Sequence, residues 1–256
     1  MALEDVCSFK DQSTLFSPFE DVTTSIHMTD YHNIRSPAPR HSTNVSMPFS
    51  LAHGTTTLGF TFQGGVIAAA DTRASGGGLV ASPDVNKITP IHSHLVVTSS
   101  GSGADCIMWE RILIREIRLY QLRHRRRLSI SGAAKLLSFM MHPFKGTKLC
   151  VALTLCGWDK EADASDSRLQ GDIFSVGSGS PYAYGVLDTD LRWSLSEEEA
   201  ISLAREAVFR ATHRDAYSGN NVDVFHITAQ GWTRRKREDL KEEYYRDMEK
   251  KVRMYI

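Results

Sequence analysis

Gly54-Thr55-Thr56-Thr57-Leu58-Gly59-Phe60-Thr61-Phe62-Gln63-Gly64-Gly65-Val66-Ile67-Ala68-Ala69-Ala70-Asp71 is the stretch on which the fold turns. Leu58, Phe60 and Phe62 alternate with smaller or polar residues, the period of a half-buried strand. Gln63-Gly64-Gly65 supplies turn chemistry, and Val66 to Ala70 reads as a second, more buried strand. A β-hairpin therefore begins abruptly at Thr55. Residues 1–54, before it, are rich in Ser, Thr, Pro, His and Asp and lack hydrophobic periodicity, which reads as a weakly ordered leader.

Working outward, short strands are expected around Lys87–Ile91 and Leu95–Ser99. Gly101-Ser102-Gly103 then leads into a long helix. Ile107, Met108, Leu113, Ile114, Ile117 and Leu122 are read as its apolar face, with Glu110, Arg111, Arg115 and Arg118 opposite. A second helix covers Ser131–Met141 and stops before Pro143. Leu149–Leu155 and Gly171–Val176 read as strands, the first expected to carry Cys150 and Cys156 on one face. Ser196-Glu197-Glu198-Glu199 is a capping box opening a helix to about Thr212, and Val222–Thr228 is the last clear strand. Beyond Trp232 a charged tail, Arg234 to Ile256, is compatible with a helix. Strand groups separated by helix pairs predict a layered α+β sandwich rather than a parallel βαβ array.

Composition narrows the function classes. Lys+Arg and Asp+Glu both number 30, so no net field favours nucleic acid or an anionic membrane as the main partner. No stretch reaches the roughly 18 apolar residues of a membrane span, and Glu4 and Asp5 stand where a signal peptide would carry positive charge. Cytoplasm and nucleus are the expected locations. Cys7, Cys106, Cys150 and Cys156 lack metal-ligand spacing and read as reduced thiols. His92 and His94 lack a supporting acidic or thiol ligand, so no metal is expected. The basic run Arg123–Arg127 reads as a solvated loop between helices.

The chemistry concentrates at the hairpin. A hydroxyl is a poor nucleophile near neutral pH, and a terminal threonine carries its own base: a freed α-amine of pKa about 8 can take the hydroxyl proton. Three threonines in a strand are also ordinary β-branched strand formers. Asp71 ends the second strand, and Lys87 follows it. A lysine beside a hydroxyl stabilises the alkoxide, and an aspartate beside that lysine orients it. Gly101, following an apolar strand, can present an unscreened backbone N–H to an oxyanion.

These elements, in this order, resemble one family. His53-Gly54-Thr55-Thr56-Thr57-Leu58, Ala69-Ala70-Asp71-Thr72-Arg73, Lys87, Ser100-Gly101, Cys156-Gly157-Trp158-Asp159, Ser175-Val176-Gly177-Ser178-Gly179-Ser180 and Arg214-Asp215-Ala216-Tyr217-Ser218-Gly219 match proteasome β-subunits across residues 53–235. Order and spacing look like the fifth, chymotrypsin-like class. The run Arg168–Asp188 looks most like its thymus-specific form.

The resemblance implies a four-layer α-β-β-α sandwich of the N-terminal-nucleophile hydrolase type, with residues 1–54 a propeptide and 55–256 the β-subunit domain. It implies self-cleavage between Gly54 and Thr55, with Thr55 as nucleophile and its freed amine as base. Lys87 would ease deprotonation, Asp71 would hold Lys87, and the Gly101 N–H would stabilise the tetrahedral intermediate. Ser178, Asp215 and Ser218 would support the Thr55 amine, with Arg73 structural nearby. The first specificity pocket would be lined by Ala74, Val85, Thr89, Ser99 and Gly103. Ser99 replaces a Met of the constitutive subunit, which implies weak cleavage after large hydrophobic residues. No metal or organic cofactor is implied. Partners would be other α- and β-subunits, assembly chaperones and unfolded polypeptide substrates, and the peptide products would be displayed to developing T cells. The alternative is a structural ring subunit that never self-processes. One departure from the family is the polar stretch Lys160–Ser167, about six residues short, which reads as a truncated hairpin.

Overall fold

The computed structural model describes residues 54–159 and 171–248, apart from positions 77, 148, 243, 246 and 247. Residues 1–53 of the leader and the shortened stretch 160–167 lie outside the described residues, and so do the expectations placed on them.

The opening hairpin forms as its pattern dictates. Strand β1 (Thr57–Phe62) pairs antiparallel with β2 (Gly65–Asp71), setting Leu58 opposite Ala69 and Phe60 opposite Ile67. β1 pairs on its other edge with β8 (Ile173–Val176), and β2 with β9 (Asn221–Thr228). β10 (Gly231–Arg234) and β11 (Glu238–Asp239) complete this six-stranded antiparallel sheet. A three-stranded antiparallel sheet runs β5 (Ile88–His92), β6 (Leu95–Gly101), β7 (Val151–Gly157). A small ribbon, β3 (Ala74–Gly76) with β4 (Leu79–Ser82), follows the hairpin.

Three apolar clusters tie these parts together, and strand alternation decides which side chain joins which. Leu58, Phe60, Phe62, Ile67, Ala69, Val222 and Val224 pack one face of the six-stranded sheet against α3 (Ser180–Asp190) and α4 (Glu197–Arg214). The intervening residues Ala68, Ala70, Phe225 and Ile227 face Ile88, Val96 and Cys156 of the three-stranded sheet. That sheet's other face, with Leu95 and Val97, packs on Trp109, Leu113 and Ile117 of α1 (Gly103–His124) and on Leu137 of α2 (Ile130–Met141). Small alanines between the sheets let them approach closely, while the Phe side chains fill the wider sheet–helix gap.

The α+β architecture and the capping box hold: Ser196 Oγ accepts the Glu199 N–H, and Glu199 reaches back to the Ser196 N–H. Four local readings need correction. The inward face of α1 is Cys106, Trp109, Glu110, Leu113, Glu116 and Ile117, while Ile107, Met108 and Leu122 are exposed. Apolar residues encircle this helix, so periodicity alone selects the wrong face. Cys150 precedes β7 and is exposed, whereas Cys156 is buried within it. Helix α3 arises where only a loop motif stood out, started by Pro181 in its first turn and anchored by buried Ala183 and Leu187. The tail is strand before it is helix: β10 and β11 pair with β9, and helical residues begin only at Leu240. Arg234 and Arg237 there clasp buried Asp223 instead of lying free in solvent.

Candidate active site

Asp71 ends β2 fully buried, and a carboxylate there must be fully hydrogen-bonded. It is. Oδ1 accepts the Thr56 N–H at 2.9 Å and Lys87 Nζ at 2.7 Å, and Oδ2 accepts the Arg73 N–H at 3.1 Å and the Gly219 N–H at 2.9 Å. These donors come from the start of β1, the end of β2, the approach to β5 and the loop after α4. One carboxylate thus gathers four segments.

Lys87 is only 6% exposed and turns its remaining reach to Thr55, donating to Oγ1 at 3.0 Å. Burial pushes the Lys87 amine down from its ordinary range, against the attraction of Asp71. Burial likewise pushes the Asp71 carboxyl up, against Lys87 and the backbone donors. A lysine with a lowered proton affinity, in contact with a hydroxyl, is suited to exchange a proton with it. With the Gly54–Thr55 peptide intact, Thr55 Oγ1 donates to the Gly54 carbonyl at 2.7 Å.

A second network approaches Thr55 from the opposite side in sequence. The Thr55 N–H donates to Ser178 Oγ at 3.1 Å, and Ser178 Oγ donates to Asp215 Oδ2 at 2.5 Å. Asp215, the C-cap of α4, also accepts Ser218 Oγ at 2.6 Å, and Ser218 accepts Thr56 Oγ1 at 2.8 Å. Thr55, Asp71, Lys87, Ser178, Asp215 and Ser218 therefore belong to one connected set. Arg73 is bound to Asn220 Oδ1 and the Ala216 carbonyl, holding the loop that carries Ser218 and Gly219.

Gly101 closes β6 at φ 117°, and a Cβ there would stand 2.4 Å from the Cys150 carbonyl oxygen. Glycine is thus required at the position expected to donate to an oxyanion. Two further glycines went unassigned in sequence. A Cβ on Gly177 would meet the Thr55 carbonyl oxygen at 2.0 Å, and one on Gly179 would meet Thr56 Oγ1 at 1.9 Å. The Gly-Ser-Gly-Ser run is what lets this loop lie against the threonines.

Of the expected pocket residues, Thr89 and Ser99 meet on a third group. Thr89 Oγ1 donates to Glu110 Oε2 at 2.8 Å, while Ser99 Oγ donates to the Lys87 carbonyl at 3.5 Å beside the same carboxyl. Ala74 and Val85 are half-buried, the Val85 N–H donating to the Thr72 carbonyl at 2.9 Å, and Gly103 is exposed at the start of α1. Glu110, read in sequence as solvent-facing, is the residue that reading missed.

Residues 51–227 match the family model described as "Proteasome subunit". The chain belongs to the proteasome subunit family. It is 50% identical over 190 residues to proteasome subunit beta type-8 of Rattus norvegicus, covering 72% of this chain and 69% of that one. The human beta type-8 subunit is 48% identical over 195 residues, covering 74% of this chain and 71% of the human one. Beta type-5 of Gallus gallus is 46% identical over 190 residues, covering 72% and 74%. The chain is a proteasome β-subunit of the beta-5/beta-8 class and a threonine protease. No helix among the described residues is long and apolar enough to cross a membrane.

Proposed function

We propose that this proteasome subunit cleaves itself between Gly54 and Thr55 and then hydrolyses peptide bonds with the freed Thr55. The observation that carries the reading is the 3.0 Å contact between Lys87 Nζ and Thr55 Oγ1, with Lys87 held by Asp71 at 2.7 Å. In self-cleavage, Thr55 Oγ attacks the Gly54 carbonyl carbon, and its proton passes to the nitrogen that leaves as the new α-amine. Water then hydrolyses the Gly54 ester and releases the leader. In substrate turnover the amine takes the hydroxyl proton, supported by Ser178, Asp215 and Ser218, and the Gly101 N–H steadies the oxyanion.

The order of packing, α3 and α4, six-stranded sheet, three-stranded sheet, α1 and α2, supports the four-layer sandwich of N-terminal-nucleophile hydrolases. Ala74, Val85, Thr89, Ser99 and Gly103 line the first pocket in this reading. Hydroxyls at Thr89 and Ser99 make that pocket polar and weaken cleavage after large hydrophobic residues. The subunit assembles with α- and β-subunits and assembly chaperones in cytoplasm and nucleus. The run leading to Asp188 supports the thymus-specific form, whose peptides serve antigen presentation.

The test is the intact mass of the chain purified from assembled particles. A chain starting at Thr55 is expected, with Thr55→Ala retaining its leader. A wild-type chain that keeps residues 1–54 would make it a structural ring member instead.

A further inference from the structure

Glu110 is a buried acid that the proposed mechanism leaves unused. It sits on the inward face of α1 and is only 7% exposed, a costly place for a carboxyl group. Its surroundings connect it to the reacting centre. Thr89, which donates to Glu110 Oε2, follows Lys87 at the two-residue spacing that puts side chains on one side of an extended chain. Ser99, whose hydroxyl lies beside the carboxyl, gives its backbone N–H to the Lys87 carbonyl at 3.0 Å and its hydroxyl to the same oxygen at 3.5 Å. Lys87 in turn touches Thr55 Oγ1. Glu110 is therefore separated from the nucleophile by one layer of side chains, in which Thr89 keeps partial access to solvent. Ser99 is 9% exposed, and Thr89 is half-buried.

We propose that Glu110 is a specificity-determining residue: its carboxyl forms the floor of the first specificity pocket and selects a substrate side chain that brings a hydrogen-bond donor. This rests on the reading of Thr55 as the nucleophile. A carboxyl group offers more acceptor sites than Thr89 occupies, about four when ionised. A side-chain amide such as glutamine can fill one of the remainder. An aliphatic or aromatic side chain displaces water from the carboxyl and returns no hydrogen bond. A site built on buried polar groups rejects such a ligand strongly, whereas an apolar slot discriminates weakly between ligands of similar shape.

The experiment uses assembled particles carrying the full chain as wild type, Glu110→Gln or Glu110→Leu, with Thr55→Ala particles as the blank. The probes are otherwise identical peptides presenting Gln, Leu or Phe to the first pocket. Wild type is expected to favour Gln over Leu in blank-corrected kcat/KM. Glu110→Leu should move that ratio about tenfold or more toward Leu, mainly through KM. Glu110→Gln, which keeps the shape of the side chain and halves its acceptors, should move it part of the way. It carries the test if the leucine variant fails to assemble. An unchanged ratio, or an equal fall in kcat for all three probes, would overturn the proposal, since a merely structural glutamate would behave so. Intact mass separates the two readings. A processed Thr55 with an unmoved ratio sinks the role of Glu110 alone, whereas wild type that matches the blank and keeps its leader sinks the Thr55 reading beneath it.

Discussion

Lys87 Nζ donates to Thr55 Oγ1 at 3.0 Å while its ion pair with Asp71 is sealed from solvent. Substituting Lys87→Ala should abolish leader removal, because the amine that takes up the Thr55 proton, and once protonated stabilises the alkoxide, is gone; such proton-transfer groups contribute about 10²- to 10⁴-fold. It should also destabilise the chain by about 3–5 kcal/mol, since Asp71 is left buried without its partner. The double substitution Lys87→Ala with Asp71→Asn should recover part of that stability and none of the cleavage. Intact mass and denaturant unfolding read the two effects separately. A Lys87→Ala chain that still loses its leader at the wild-type rate would contradict the role.

The same pair sets a pH dependence. Burial lowers Lys87 below the ordinary 10.5, so the neutral amine that can accept the Thr55 proton becomes available at lower pH than for a surface lysine. The rate of self-cleavage should therefore rise with pH and inflect below 10.5. It should fall on acidification as Lys87, with its lowered pKa, and Asp71, with its raised one, take up protons. Time courses of precursor mass across roughly pH 6 to 9 measure this, and a rate that falls with rising pH would oppose it.

Gly54→Ala should block processing without touching the nucleophile. A Cβ on Gly54 would stand 1.8 Å from Tyr217 Cβ and 3.0 Å from Ser178 Oγ, so the junction cannot keep its place against Thr55 Oγ1. A near-attack geometry lost by about an ångström costs on the order of a hundredfold. Removing the obstructing atom in Gly54→Ala with Tyr217→Gly should recover measurable cleavage. Equal cleavage of Gly54→Ala and wild type would show that the packing against Tyr217 is not limiting.

How much of this was legible in the sequence depends on where each signal lives. The hairpin announced itself because Leu58, Phe60 and Phe62 alternate, and Ser196 with Glu199 spelled out a helix start that geometry fulfils. Asp71 and Lys87 were findable through resemblance, although only folding brings them to 2.7 Å of each other. Glu110 was not legible. On α1, Ile107, Met108, Leu119 and Leu122 are exposed while Glu110 and Glu116 are buried, so charge and hydropathy point away from the true core face. The strands at Gly231–Arg234 and Glu238–Asp239 were hidden for a related reason: a run of basic residues looks solvated until the edge of β9 and the buried Asp223 give it partners.

Ser99→Met tests the pocket's polarity. Methionine replaces a hydroxyl beside Glu110 with apolar surface that a leucine or phenylalanine side chain can cover. At about 0.8 kcal/mol per buried methylene, one or two such groups raise kcat/KM for hydrophobic substrates roughly four- to fifteenfold. Cleavage of aromatic-ended against polar-ended peptides by assembled particles measures the change. A strong aromatic preference already present in the wild type would defeat the premise.

Glu110 also makes a prediction about stability, and its sign differs from that of a salt-bridged acid. Burial raises its pKa above the ordinary 4.5, against the Thr89 hydrogen bond and the neighbouring Ser99 hydroxyl. Below about 4.5 both folded and unfolded chains hold the proton, and the group costs nothing. As pH rises, the unfolded chain releases its proton first, so stability falls until the raised folded value has been passed. Glu110→Gln cannot ionise and escapes this loss. The stability difference, variant minus wild type, should therefore grow as pH increases from 4.5 and level off above the folded pKa. Denaturant unfolding of the uncleaved full chain, carrying Thr55→Ala in both backgrounds, measures that difference while the other titrating groups cancel. A difference that shrinks with rising pH would mean that the ionised carboxylate is the better-held form, with Thr89 and Ser99 outweighing burial.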